Sequence, residues 1–260
     1  MKLHSKNTVT LIPLQFPTIQ IGQRLTAVVT EALQTEHIAL VHGDVVAVAS
    51  KIVSTCEGRI VNLQKVRSTP AAKRLAKQYK IDEGLTAVVM SESDQILGGV
   101  KGFLLTLKSG ILTANAGVDV KNAPYQSAML WPKDSDLSAN HLRQSLERKF
   151  HTRVGVEIVD SRVTPLRLGT TGLAIGVSGF SPVRDERSNL DLYGRVIKVT
   201  QTNVADDIAT CAHLLMGEAT ERIGAVVIRN IRTTLTKSDS RNTKISLNRC
   251  LVGSNLAKRP

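Results

Sequence analysis

The sequence predicts an α+β fold, and three observations carry the prediction. Apolar, β-branched runs of strand length recur along the whole chain. Between them lie stretches whose apolar residues repeat at helical spacing. The two kinds are mixed without the regular β–α–β alternation of a doubly wound sheet. At 260 residues the chain can bury a sizeable core, as one large domain or two modest ones.

Taken in order, "TVTLIPL" is a short strand. "GQRLTAVVTEAL" places Leu25, Val28, Val29, Ala32 and Leu33 on one helical face. "HGD" turns the chain into "VVAVASKIV", which reads as a single buried strand. "STPAAKRLAKQYK" opens a helix with Thr69 as N-cap and Pro70 at the first helical position. "GFLLTLKSGILTANAG" is a hairpin joined by Lys108, Ser109 and Gly110. Leu142, Leu146 and Phe150 make "SDLSANHLRQSLERKF" an amphipathic helix. "RVGVEIVD" is a strand expected to stop at Asp160; "GLAIGVSGF" and "YGRVIKVTQ" read as further strands. "NVADDIATCAHLLMG" is a helix with Val204, Ile208, Cys211 and Leu215 on its apolar side, closed by Gly217. "GAVVIRN" is the last strand.

The net charge of +12 favours an anionic partner. Half of it lies in residues 231–260, where seven basic residues face Asp239 alone. That stretch reads as a basic polar tail. Aromatic residues are only 3% of the chain, too few for the stacking platforms of a single-strand nucleic-acid binder, which argues against nucleic acid as partner. No window is long and apolar enough to span a membrane, and "MKLHSKNTVTLIPL" lacks the apolar core of a secretory signal. Cys56, Cys211 and Cys250 are far apart and form no metal or redox motif. A cytoplasmic protein with reduced thiols is expected.

The sequence has no glycine-rich phosphate loop ending in Gly-Lys-Ser/Thr, no GxGxxG, no HExxH and no GxSxG. What remains is oxygen chemistry. Asp119 follows a run of small residues in "TANAGVDVKNAP", and Asp160, with Ser161 beside it, ends an apolar run. Carboxylates at strand ends can converge to hold a hard divalent cation, which typically takes one or two carboxylates plus substrate phosphates. Each aspartate alone reads more readily as a turn or cap residue than as a ligand.

Read together, "GDVVAVASKIVSTCEGRIV", "NAGVDVKN", "VGVEIVDS", "GLAIGVSG", "DLYGRVIKVT", "VADDIA" and "LLMGEA" with "AVVIRN" resemble the coenzyme F(420):L-glutamate ligase family, in the family's order over roughly residues 9–230. The resemblance implies a mixed-sheet, two-domain, homodimeric protomer in residues 1–230. It implies a GTP-dependent γ-glutamyl ligase with Mg²⁺ or Mn²⁺, two ions in all, whose substrates are GTP, L-glutamate and a carboxylate acceptor. It places the metal on Asp119, Asp160 and Ser161, the two aspartates being the catalytic residues. The nucleotide falls on Phe16, Pro17, Thr18 and Ile19; on Ser50, Lys51 and Thr55; on Asn122; and on Met216, Gly217, Glu218, Ala219, Thr220, Glu221, Arg222 and Ile223. On this basis the small residues before Asp119 let a triphosphate approach the backbone.

Two departures from the family pattern stand out. Thr55 replaces a common lysine, so a phosphate-facing ammonium is missing unless Lys51 takes over. Val163-Thr164 replaces Gly-Arg, so the charge beside the metals is expected to be placed differently, with Arg162 and Arg167 nearby. The second departure makes a folate-type pteridine the expected acceptor in place of the deazaflavin coenzyme. A catalytically silent or nucleic-acid-binding homologue is the alternative of another class.

Overall fold

The computed structural model describes residues 8–236 and 243–256. The chain runs β1 (Thr10–Gln15), α1 (Leu25–Thr35), β2 (Val45–Ala49), α2 (Ser50–Cys56), β3 (Ile60–Asn62), α3 (Pro70–Tyr79) and α4 (Glu83–Glu92). A meander follows: β4 (Gln95–Val100), β5 (Phe103–Lys108) and β6 (Ile111–Ala114). Next come β7 (Ser127–Met129), α5 (Ser135–Phe150), β8 (Gly155–Val163) and β9 (Thr170–Ser178). The last elements are β10 (Val183–Asp185), β11 (Gln201–Asn203), α6 (Val204–Met216), β12 (Ile223–Arg229) and α7 (Gly253–Leu256).

A mixed sheet in the order β1-β12-β2-β8-β9 organises the molecule. Only the β2–β8 pair is parallel. Strand β2 and residues 155–159 of β8 are buried on both faces and, Glu157 apart, apolar, as a sheet covered on each side requires. Val46, Val48, Val156 and Ile158 point to one side and pack with Val29, Leu33, Leu142 and Leu146 of α1 and α5. Val45, Ala47, Val159 and Val226 point to the other and pack with Ile208, Ala209 and Ala212 of α6. Each fully buried Val, Leu or Ile contributes roughly 1.5–3 kcal/mol. Asp44, buried at the start of β2, is held by both Arg229 Nε (2.9 Å) and Nη2 (2.8 Å) at the end of β12.

A smaller unit is formed by the β4-β5-β6 sheet, the β3–β7 pair, α3 and α4, around Val88, Val89, Leu104, Ala116, Val118, Ala128 and Leu130. The Thr69 hydroxyl caps α3 by accepting from Ala72 N, and Pro70 opens it. Ser109 (φ 49) and Gly110 (φ 78) form the two-residue turn between β5 and β6. The chain is thus α+β with a mixed sheet.

Four expectations about local structure need correction. "VVAVASKIV" is not one strand: β2 ends at Ala49, whose extended backbone (φ −61, ψ 134) leads directly into α2. Strand β8 does not stop at Asp160 but continues to Val163, because Asp160 through Val163 keep pairing with Leu173 through Thr170. "YGRVIKVTQ" is mostly irregular, held by an isolated Leu190–Val196 bridge, and only Gln201 joins a strand. Helix α6 buries Val204, Ala205, Ile208, Ala209, Ala212 and Met216, while Cys211 is exposed. Beyond Asn230, Leu235 bridges Phe180, Thr236 N donates to Gly179 O, and Ile231 and Leu235 pack on the α6 core.

Candidate active site

The direct passage from β2 into α2 sets Ser50 and Lys51 at the first turn of a helix, beside the neighbouring strand β8. There the Ser50 hydroxyl donates to Asp160 Oδ1 at 3.1 Å. Lys51 Nζ lies 2.7 Å from Asp119 Oδ2, and its charge also acts on Asp160. One turn later the Thr55 hydroxyl donates back to Lys51 O at 2.8 Å, so it is spent on the helix.

Asp160 sits within β8 and is partly buried. Its Oδ2 accepts the indole N–H of Trp131. Burial pushes the Asp160 carboxyl above the usual aspartate value, although Lys51, Trp131, the Ser161 amide and Ser50 all pull it down. Asp119 comes from the smaller unit. Its backbone pairs with Met129 through N–H···O bonds of 3.0 and 2.8 Å, and its Oδ1 accepts Lys121 N at 2.8 Å in an Asx turn.

The run of small residues before Asp119 has a packing cause. A Cβ on Gly117, which has φ +71, would lie 2.1 Å from Trp131 Nε1. Ala116 is fully buried with φ 53, and its amide donates to the Thr106 hydroxyl. The Asn115 side chain accepts Leu104 N. The space in front of Gly117 is therefore filled by the Trp131 indole rather than left open for a triphosphate.

The segment after α6 closes the opposite wall. Gly217 ends the helix at φ 67. Glu218 accepts from His213 Nε2 (3.0 Å), Lys121 Nζ (2.9 Å) and Thr170 Oγ1 (3.0 Å). Burial raises the Glu218 carboxyl, but these bonds outweigh it and hold it at about 2. Asn122 Nδ2 reaches Ala219 O at 3.3 Å, so the Asp119 loop and this segment touch directly. Phe16 N donates to Arg222 O, and the Phe16 ring fills the space that Gly224 leaves.

One cleft of ≈ 420 Å³ is lined by Phe16, Pro17, Thr18, Ile19, Ser50, Lys51, Thr55, Asn122, Asp160, Ser161 and the whole run Met216 to Ile223. Asp119 is not among its walls and meets it through Lys51. Trp131, His213 and Thr170 were not identified from sequence. Trp131 is the chain's single tryptophan, and nothing in its local sequence ties it to Asp160.

Among the described residues no three His, Cys, Asp or Glu side chains cluster as a self-sufficient metal site. The donors at hand are two carboxylates and the Ser161 hydroxyl, all hard oxygens. That set suits Mg²⁺ or Mn²⁺ shared with substrate phosphates rather than a fully protein-ligated ion. The Lys51 ammonium pairs with Asp119, and its charge also acts on the partly buried Asp160.

The chain matches the family model described as F(420)-0:Gamma-glutamyl ligase over residues 13–230. A coenzyme F(420):L-glutamate ligase of Methanopyrus kandleri is 36% identical over 215 residues, covering 82% of this chain and 83% of that protein. The Methanocaldococcus jannaschii protein of the same name is 35% identical over 228 residues, covering 87% and 90%. That of Archaeoglobus fulgidus is 36% identical, covering 83% and 84%. With the mixed-sheet fold and the carboxylate-bearing cleft, these likenesses define an enzyme of the ligase class. The chain belongs to the F(420)-0:gamma-glutamyl ligase family.

Proposed function

We propose that this protein is a GTP-dependent ligase that joins L-glutamate to the carboxylate of a deazaflavin coenzyme precursor, working as a homodimer. The observation that carries it is the meeting of Lys51, Asp119 and Asp160 beside a cleft walled by the segment after α6. The acceptor is taken from the relatives, which are named for coenzyme F(420).

In this account an oxygen of the acceptor carboxylate attacks the γ-phosphorus of GTP, GDP leaves, and an acyl phosphate forms. The glutamate amine then attacks the acyl carbon, losing a proton as phosphate departs and the amide bond closes. Asp119, Asp160 and Ser161 would hold one or two Mg²⁺ or Mn²⁺ ions, which when bound neutralise charge on the phosphate oxygens. Lys51 supplies a charge-assisted donor to the phosphates. Ser50 and Trp131 orient Asp160 by holding one oxygen each. Glu218 anchors the segment that covers the nucleotide and limits access of water to the acyl phosphate. Catalysis is then mostly positioning and electrostatics.

A mass-spectrometric assay with GTP, Mn²⁺, glutamate and the deazaflavin acceptor tests the proposal. The expected product is the acceptor plus one glutamyl residue, with GDP and phosphate in equal amount. Glutamylation of folate instead, with the deazaflavin acceptor untouched, would reassign the acceptor. Absence of GTP turnover with either acceptor would refute the ligase assignment.

A further inference from the structure

A second cavity, of ≈ 990 Å³, lies where β8 leaves the cleft. Asp160 and Ser161 line the cleft, while the next residues of the strand, Arg162 and Val163, line this cavity. At about 3.3 Å per strand residue, one elongated substrate could occupy both. The cavity walls are largely apolar and include Leu105, Leu112 and Leu173. Its volume is in the range of small-molecule sites, roughly 300–1,000 Å³.

Its charged groups are Arg162, Lys244 and Asp206, beside the hydroxyls of Thr113, Thr164, Thr243 and Ser246 and the Asn203 amide. Arg162 is tethered by one nitrogen to Asp206 (3.1 Å), while its buried Nε has no hydrogen-bond partner, so the guanidinium is not saturated. Asp206 is already satisfied by Ala174 N and Asn203 Nδ2 in addition to Arg162. The second cation is Lys244, exposed, on a C-terminal segment that supplies one wall of the cavity and packs its side chain over Gly110. That wall lies beyond residues 13–230, which match the family model.

We propose that this cavity binds an aromatic molecule carrying an anionic group, its ring against the leucine wall and its anion between Arg162 and Lys244. Resting on the ligase function proposed above, the occupant is the acceptor, with its reactive carboxylate reaching along β8 into the cleft. The Val163-Thr164 departure then acts on the acceptor's ring rather than on the metals, and Lys244 makes the C-terminal segment a specificity element.

The test uses the full chain and three titrations: the deazaflavin acceptor by its own fluorescence, anilinonaphthalene sulfonate as a generic aromatic anion, and a fluorescent GTP analogue. Lys244→Glu changes an exposed side chain and leaves the fold in place; Arg162→Met is the second variant. Each should weaken acceptor and sulfonate binding by about tenfold or more and leave the GTP analogue unaffected. Acceptor affinity unchanged in both variants would overturn the proposal and leave the ligase function standing. So would a wild type that binds the GTP analogue but neither aromatic anion. A wild type that binds none of the three would overturn both.

Discussion

Lys51 and Asp119 form a 2.7 Å ion pair that ties the helix after β2 to a loop of the smaller unit. Lys51 also lowers the Asp160 carboxyl, so one ammonium serves two carboxylates from separate parts of the chain. With Thr55 turned back onto its own helix, Lys51 is the cation that α2 offers to a phosphate in the cleft. Lys51→Ala should weaken GTP binding by about tenfold, or ~1.4 kcal/mol, a charge-assisted hydrogen bond's worth. Titration of a fluorescent GTP analogue in Mn²⁺ reads this, and unchanged affinity would mean that Lys51 only balances Asp119.

Gly117 should not tolerate a side chain. Alanine there must adopt φ +71 and push the indole that holds Asp160. We expect Gly117→Ala to cost about 2 kcal/mol or more in stability and to lower ligase activity in the surviving folded protein. Thermal unfolding checks the first part, and a melting temperature equal to the wild type would contradict the packing described.

Glu218 is the anchor of the segment after α6. Its folded pKa of about 2 lies below the ordinary carboxylate value. Its contribution is therefore present above the ordinary value and is lost as pH falls toward 2. Glu218→Gln removes the charge at every pH, so hydrogen exchange at neutral pH should become faster in residues 217–223. Equal protection in both proteins would show that the segment is held by other contacts.

Glu157 behaves in the opposite sense. It is fully buried in β8, neither carboxylate oxygen has a partner, and burial together with the Asp206 charge raises its pKa well above the usual value. Below the ordinary glutamate range the group is protonated both folded and unfolded and adds no pH-dependent cost. As pH rises, only the unfolded chain ionises, and the native state loses stability. Glu157→Gln should therefore raise the melting temperature at pH 8 and leave it nearly unchanged at pH 4. A variant that melts no higher than wild type at pH 8 would imply that Glu157 has a counter-charge.

The strands and helices whose burial follows a single period were legible in the sequence. Leu25 through Leu33, Leu142 with Leu146, and the Thr69–Pro70 start of α3 all appear where spacing and capping place them. Periodicity failed where the fold changes element without a break. "VVAVASKIV" is apolar throughout, and nothing local marks the switch from strand to helix at Ala49. It failed too where an exposed arm is apolar: Leu192, Tyr193 and Val199 look like strand residues yet are largely exposed. Cleft residues were found through motif order alone, since Phe16, Ser50, Asn122 and Glu218 have no local feature that joins them. The partners of the two aspartates were missed because Trp131 and Lys51 meet them only through tertiary packing.

Under the proposed function, Asp119 and Asp160 act on one cation–nucleotide site. The direct measurement is calorimetric binding of Mn²⁺·GTP to wild type, Asp119→Asn, Asp160→Asn and the double variant. A shared site predicts that each single change weakens binding by about 10²-fold, several hydrogen-bond equivalents. It also predicts that the double variant is far less than additive, as for residues that work as a unit. Cation-dependent GTP binding that survives both single changes, or losses that simply add, would contradict it.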